Sequence, residues 1–147
     1  MRDSKPSGRE KASRQYGAIP YRIAADGVRV LLVTSRDSGR WVIPKGNPMK
    51  GEKPHKAAAI EAFEEAGVVG RVRSRSLGTF SYDKIQSKGV RPCSVKVYPL
   101  KVRKLRHEWP EARERVRRWF SPDDAAAAVR EPELAEILKS FASKSFG

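Results

Sequence analysis

The sequence is poor in the residues that form disulfides and the commonest zinc sites. Cys93 is the only cysteine among 147 residues, so no internal disulfide can form, and a free thiol fits the reducing cytoplasm, where we expect the protein. One cysteine and two histidines cannot supply the ligands of a usual zinc site. Any bound metal is therefore expected to be held by oxygen atoms, which indicates Mg²⁺ or Mn²⁺.

Long hydrophobic runs are also missing. No segment approaches the roughly 20 apolar residues needed to cross a bilayer, and the first residues contain no apolar signal segment. We therefore expect no membrane association. Residues 1–15 are polar and basic without apolar periodicity, which predicts a disordered tail. Residues 16–147 are long enough for one domain and too short for two ordinary ones.

Acidic residues are scarce relative to basic ones. The chain has 17 acidic and 31 basic residues, a net charge of +14, and Asp83 is the only acid among eleven basic residues from Arg71 to Arg106. Such an excess raises the local concentration of polyanions. We expect a small molecule with many phosphates as the partner, with nucleic acid as the second choice. A basic face that contacts only solvent is the alternative.

The residue pattern predicts three strands, a helix, several further strands and two final helices. The strands are expected at Tyr16–Ala24, Val28–Thr34, Trp41–Ile43, Val68–Val72, Leu77–Tyr82, Ser94–Val102 and Arg117–Phe120. Helices are expected to begin at Pro54, Pro122 and Pro132. Asp83–Gly89 reads as a polar loop over a site, and Pro99 predicts an edge or bulge. The element order predicts an α/β (α+β) fold with a mixed sheet and helices on both faces.

The helix that begins at Pro54 carries three acids on one face. At about 100° per residue, Glu61, Glu64 and Glu65 lie within roughly a third of the helix circumference. Like charges at this spacing repel each other, and a bound divalent cation offsets the repulsion. The three acids are therefore candidate metal ligands. An exposed acidic face that pairs with nearby lysines is the alternative.

Residues Gly46–Val68 match the spacing of the signature of the Nudix hydrolases, G-x(5)-E-x(7)-R-E-U-x-E-E-x-G-U with U aliphatic, and the chain resembles that family. The matching residues are Gly46, Glu52, Glu61, Ala62, Glu64, Glu65, Gly67 and Val68. The signature arginine is replaced by Ile60. An arginine there would hold Glu64, so in this chain a basic residue from elsewhere, or the metal alone, must orient that acid.

The resemblance implies a Nudix-type α/β/α sandwich and metal-dependent hydrolysis of a diphosphate linkage. Divalent ions neutralise the crowded charge of a diphosphate and lower the pKa of a bound water. By resemblance, Glu61, Glu64 and Glu65 are catalytic metal ligands, and a backbone carbonyl at or near Gly46 is a further ligand. Which glutamate acts as general base varies within the family, so that assignment stays open.

Two further segments, Trp41–Gly46 and Arg118–Ser121, resemble the branch that hydrolyses diphosphoinositol polyphosphates and diadenosine polyphosphates. This resemblance implies a polyphosphorylated small molecule as the substrate. Two alternatives stay open: an RNA 5′-end pyrophosphohydrolase, and a non-catalytic phosphate-binding or nucleotide-binding module. Either a monomer or a homodimer is compatible with the sequence. Candidate phosphate-binding residues are Arg22, Arg40, Lys45, Lys84 and Arg91.

Overall fold

A computed structural model of the protein describes residues 12–143. In this range, eight strands join one mixed sheet and three helices pack against it. The strands are β1 Ser13–Ala24, β2 Gly27–Thr34, β3 Trp41–Val42, β4 Lys45–Gly46, β5 Val68–Val72, β6 Gly78–Gln86, β7 Gly89–Leu105 and β8 Arg117–Phe120. The helices are α1 Pro54–Ala66, α2 Pro122–Ala128 and α3 Pro132–Ser140. None of these helices is long and apolar enough to span a membrane.

The two longest strands, β1 and β7, run parallel to each other in the middle of the sheet. Each changes its second partner midway: β1 pairs first with β4 and then with β2, and β7 pairs first with β6 and then with β5. Pro20 and Pro99 lie at these two changes, where no strand requires a backbone N–H from them. The prediction that Pro99 marks an edge or bulge holds only locally. Strand β7 is central, but its pairing with β6 ends at Val97 and its pairing with β5 begins at Leu100, so Pro99 has a ladder partner on one side alone.

Each face of the sheet has its own hydrophobic core. On one face, the small residues Ala58, Ala62 and Ala66 allow α1 to pack closely against the sheet. On the other face, Leu134 and Leu138 of α3 are buried together with residues of α2 and of the central strands. The predicted α/β/α sandwich with a mixed central sheet is thus confirmed.

Most predicted strand boundaries differ from the structure by a few residues, and two differences change the assignment of a segment. Strand β1 begins at Ser13 rather than Tyr16, so the last residues of the predicted tail belong to the sheet, whereas residues 1–11 lie outside the described range. Asp83–Gly89 is not a loop, because β6 continues to Gln86 and a short turn leads directly into β7. The polar side chains of this hairpin suggested a loop, but its backbone groups are satisfied by strand pairing.

Candidate active site

The C-terminal end of α1 is held by the connection between β7 and β8. The indole Nε1 of Trp109 donates to the carbonyl oxygen of Glu65 at 2.9 Å, and Nη1 of Arg117 donates to the carbonyl oxygen of Ala66 at 2.8 Å. These bonds satisfy carbonyl groups that the end of a helix leaves open. Gly67 ends α1 in the left-handed conformation at φ 69°, and a Cβ there would lie 2.7 Å from Nη1 of Arg117. The acidic turn is therefore fixed against the sheet.

Two of the acids on α1 face the backbone of β4. Oε1 of Glu65 accepts a hydrogen bond from the backbone N–H of Lys45 at 3.4 Å. A Cβ on Gly46 would lie 2.1 Å from Oε2 of Glu61, so only glycine allows β4 to approach that carboxylate. Glu64 is half-buried, and its carboxylate makes no hydrogen bond or ion pair with another residue in the 12–143 range. The structure thus brings together Gly46, Glu61 and Glu65 of the predicted set.

The carboxyl groups of Glu61 and Glu65 share a confined space. Burial raises the pKa of Glu65 to about 8, against the opposing effect of the Arg115 guanidinium, and the nearby Glu61 raises it further. Burial also raises the pKa of Glu61, while a hydrogen bond with Glu65 acts in the opposite direction. Two neighbouring buried carboxylates are difficult to ionise together without a cation between them. The pair is therefore an attractive site for positive charge.

A basic side chain from outside the helix does reach these acids. Arg115, with 8% of its side chain exposed, lies 3.7 Å from Oε1 of Glu65 and pairs with Glu111 at 2.6 Å. Its Nη1 also donates to the carbonyl oxygen of Thr34 at 2.9 Å, which fixes the guanidinium. Ile60, at the signature arginine position, instead lines an apolar groove on α1. This arginine contacts Glu65, so within residues 12–143 no basic side chain pairs with Glu64 as the sequence had suggested.

The side chain of Lys45 belongs to a polar chain beside the same strand. Its Nζ lies 4.8 Å from the ring centroid of Tyr82, whose hydroxyl donates to Oε1 of Gln15 at 2.8 Å. Nε2 of Gln15 in turn donates to Oδ1 of Asn47 at 3.4 Å. Burial lowers the pKa of Lys45, and the Glu65 carboxylate opposes this effect. The backbone N–H of Lys45 therefore binds Glu65, whereas its side chain lies against Tyr82 among the neighbouring polar residues.

A basic cleft of about 420 Å³ opens next to this polar chain. Lys84 and Arg91 lie directly opposite each other in the β6–β7 hairpin, and Arg14 of β1 joins them. Asn47, which follows Gly46, lines the cleft as well. Arg14 belongs to the tail predicted from the sequence, where its position among other basic residues is the only indication of phosphate binding. The cleft is lined by Ser13, Arg14, Gln15, Asn47, Pro48, Lys84, Gln86, Arg91 and Cys93.

Two predicted phosphate-binding residues are engaged in other contacts. The guanidinium of Arg22 lies 4.3 Å from the ring centroid of Trp119. Arg22 is also six residues along β1 from Tyr16, the partner of Gly46, which is about 20 Å in a strand. Arg40 pairs with the buried carboxylate of Glu131 at 2.9 Å. The structure therefore separates Arg22 from the cleft and neutralises Arg40.

Comparison with known proteins agrees with this arrangement. A family profile of the NUDIX domain matches residues 14–141. The chain belongs to the Nudix hydrolase family. It is thus an enzyme of the pyrophosphohydrolase type, and the acids on α1 lie in the helix of the Nudix signature.

Named relatives come from plants and animals. The Nudix hydrolase is 36% identical over 136 residues to "Nudix hydrolase 18, mitochondrial" of Arabidopsis thaliana, covering 87% of this chain and 76% of that protein. It is 31% identical over 136 residues to "Diphosphoinositol polyphosphate phosphohydrolase 3-beta" of Homo sapiens, covering 90% and 79%. An Ap4A hydrolase of C. elegans superimposes with a TM-score of 0.64 at 20% identity, covering 90% of this chain and 98% of that one. At this identity the structural likeness shows the fold alone.

The oxygen atoms at the candidate site determine whether this Nudix hydrolase can bind a divalent metal there. Among residues 12–143, no three His, Cys, Asp or Glu side chains are grouped so that they could hold a metal ion. The role of Glu64 as a third ligand therefore stays a prediction. Glu61, Glu65 and the backbone of Gly46 nevertheless present hard oxygen donors at one place. Mg²⁺ usually keeps several waters and needs only one or two protein carboxylates. The residues therefore fit a hydrated Mg²⁺ or Mn²⁺ ion and no closed protein cage.

Proposed function

We propose that this Nudix hydrolase cleaves a diphosphate linkage in a small molecule that carries many phosphates, with Mg²⁺ or Mn²⁺ as cofactor. One observation carries the proposal: a cleft with three cations opens beside Asn47 and Pro48, which directly follow Gly46 of the candidate metal site. The cations are Arg14, Lys84 and Arg91. A relative that is a diphosphoinositol polyphosphate phosphohydrolase supports the same substrate class.

Within that class, the lining of the cleft favours an inositol pyrophosphate over a dinucleoside polyphosphate. No aromatic side chain is among the described residues that line it, so an adenine has no flat surface for stacking. The nearby ring of Tyr82 is covered by Lys45. An inositol ring with several phosphates needs positive charge and little base recognition, which this surface supplies.

The chemical roles of the chain's own residues follow from their positions. Arg14, Lys84 and Arg91 bind the phosphates that are not cleaved and so orient the diphosphate toward α1. Glu61, Glu65 and the backbone of Gly46 would hold the metal, which when bound neutralises the diphosphate and lowers the pKa of its water. Arg115, Trp109 and Arg117 keep the acidic turn in place, because each contacts Glu65 or Ala66.

The double variant Lys84→Gln, Arg91→Gln is expected to raise KM for the substrate by about tenfold to a hundredfold, with a smaller change in kcat. Each side chain is exposed, so each lost phosphate contact costs about 0.7–1.4 kcal/mol. Steady-state kinetics with a diphosphoinositol polyphosphate, diadenosine tetraphosphate and 5′-triphosphorylated RNA give both constants and rank the three substrate classes. The matched control removes two charges far from the cleft, Lys101→Gln and Arg103→Gln. An equal rise in KM in the control would mean that net charge, and not the cleft, binds the substrate.

Failure of all three substrates to be hydrolysed with either metal would contradict the proposed reaction. Preferential cleavage of triphosphorylated RNA would retain the catalytic site and replace the substrate by the second candidate. That candidate rests on the charge of the chain and on a second basic surface, described below.

A further inference from the structure

The basic residues of the 71–106 segment are separated by the fold into different surfaces. Lys84 and Arg91 line the catalytic cleft. Arg71, Lys101 and Arg103, with Val102, instead line a cavity of about 340 Å³ on β5 and β7. We call the three basic residues the far basic face. The charge excess of the sequence therefore cannot be assigned to the catalytic cleft alone.

The far basic face lies on a part of the sheet that no described helix covers. Lys101 pairs in register with Arg71 of β5 on one side and with Tyr21 of β1 on the other. Residues directly opposite each other lie on one face of a sheet, so Arg71, Lys101 and Tyr21 share a face. Arg103 lies at a β-bulge and lines the same cavity as Arg71 and Lys101. Tyr21 is still buried under α3, whereas Ile23, two residues further along β1, is 54% exposed. The helices thus end just before the cationic residues.

The charges on this face lack acidic partners. No described Asp or Glu forms an ion pair with Arg71, Lys101 or Arg103. Like charges directly opposite each other in a sheet are destabilising, and the pairing of Arg71 with Lys101 is of this kind. An anionic ligand would relieve the repulsion.

The face is remote from the catalytic acids. Lys101 is level with Tyr21, and Lys45 is level with Gly17. Four residues of strand separate these levels, about 13 Å. Lys101 is also ten residues along β7 from Arg91, which lines the basic cleft, and this is about 33 Å in a strand. A ligand on the far basic face is therefore distinct from the diphosphate under attack.

We propose that the far basic face binds the phosphate backbone of single-stranded RNA. Lys101 and Arg103 follow each other along β7, and Arg71 lies about 5 Å across from Lys101. These three side chains are exposed, so an extended phosphate backbone can cross the face and meet all of them. Ile23, exposed on the same face, offers an apolar contact to a base. The surface holds RNA whichever diphosphate the active site cleaves.

The test uses the full chain and a fluorescein-labelled single-stranded RNA of about 12 nucleotides with a 5′-hydroxyl, which contains no diphosphate to cleave. Fluorescence anisotropy is measured at several KCl concentrations. The variant Arg71→Gln, Lys101→Gln, Arg103→Gln is expected to bind at least tenfold more weakly than the unaltered protein. Its slope of log affinity against log salt should be smaller by about 2, because three contacts contribute about 0.7 each. Its kcat/KM for the small substrate is expected to stay unchanged.

The matched control is Arg14→Gln, Lys84→Gln, Arg91→Gln, which removes the same charge from the catalytic cleft. It should lose less than twofold in RNA affinity. An equal loss in both triple variants, or an unchanged salt slope in the far variant, would overturn the proposal, because either result assigns binding to net charge. Binding to vesicles with 30% anionic lipid that depends on the far face, without RNA binding, would also overturn it. The thermal midpoint of the far variant should be equal or higher, since a repulsive pair is removed.

Discussion

The variant Glu65→Gln is expected to lower kcat by about a thousandfold or more, as loss of a charged group that stabilises a transition state does. Glu65 is 7% exposed, and its carboxylate contacts both the β4 backbone and Arg115. Glutamine keeps the size of the side chain and removes the negative charge that the metal and the diphosphate reaction require. The fold should survive, because a neutral amide is less costly to bury than a carboxylate whose pKa burial has raised.

Two measurements check this expectation. Steady-state hydrolysis gives kcat, and thermal unfolding with and without Mg²⁺ or Mn²⁺ reports on metal binding, because a ligand that binds only the folded state raises the midpoint. The unaltered protein should show a metal-dependent rise that Glu65→Gln loses. Glu108→Gln, at an exposed position, is the matched control and should keep both activity and the rise. Activity close to that of the unaltered protein in Glu65→Gln would remove Glu65 from the catalytic set.

The second large effect is expected from Gly46→Ala, which should lower kcat by about a hundredfold, as a misplaced catalytic group does. The new methyl group would lie 2.1 Å from Oε2 of Glu61, so the carboxylate must move. The end of a glutamate side chain can rotate away at little cost, and therefore stability should change little. The displaced carboxylate no longer lies beside Glu65, and the pair that attracts the cation is lost.

Gly39→Ala is a useful comparison for this variant. Gly39 has φ 73°, and a Cβ there would meet no atom within 4 Å. Alanine at that position should lower the thermal midpoint through backbone strain and leave kcat unchanged. Gly46→Ala should show the opposite pattern, with kcat lost and the midpoint retained. If Gly46→Ala kept its activity, the close approach of β4 to Glu61 would have no role in catalysis.

Much of the chemistry was predictable from local spacing. The signature from Gly46 to Val68 is contiguous, and a helix places residues three and four apart on one face whatever surrounds it. The helices that follow Ser121 and Glu131 were predictable for the same reason, since Pro122 and Pro132 mark their first turns. Alternating strands and helices then limited the architecture to layers around one sheet.

The remaining features depend on strand order. Arg115 and Glu65 are 50 residues apart in sequence and meet only because the β7–β8 connection wraps around the end of α1. Arg14 joins Arg91 because β1 and β7 are parallel neighbours, which no local pattern of either strand reveals. The Asp83–Gly89 segment was predicted as a loop for the same reason, since its polar side chains do not show that its backbone pairs as a hairpin.

The sequence by itself thus determined which groups are the candidates for the chemistry, because the acids on α1 and the glycine before them are fixed by spacing along one contiguous segment. Only the tertiary structure decided which other residues lie beside those groups and how the basic residues are distributed over the surface. It brought Glu61 and Glu65 against Gly46, and it placed Arg115 beside Glu65. It also separated one run of basic residues into a catalytic cleft and a far basic face. The physical reason is that contacts between distant segments depend on pairing and packing across the whole sheet, which spacing along the chain does not encode.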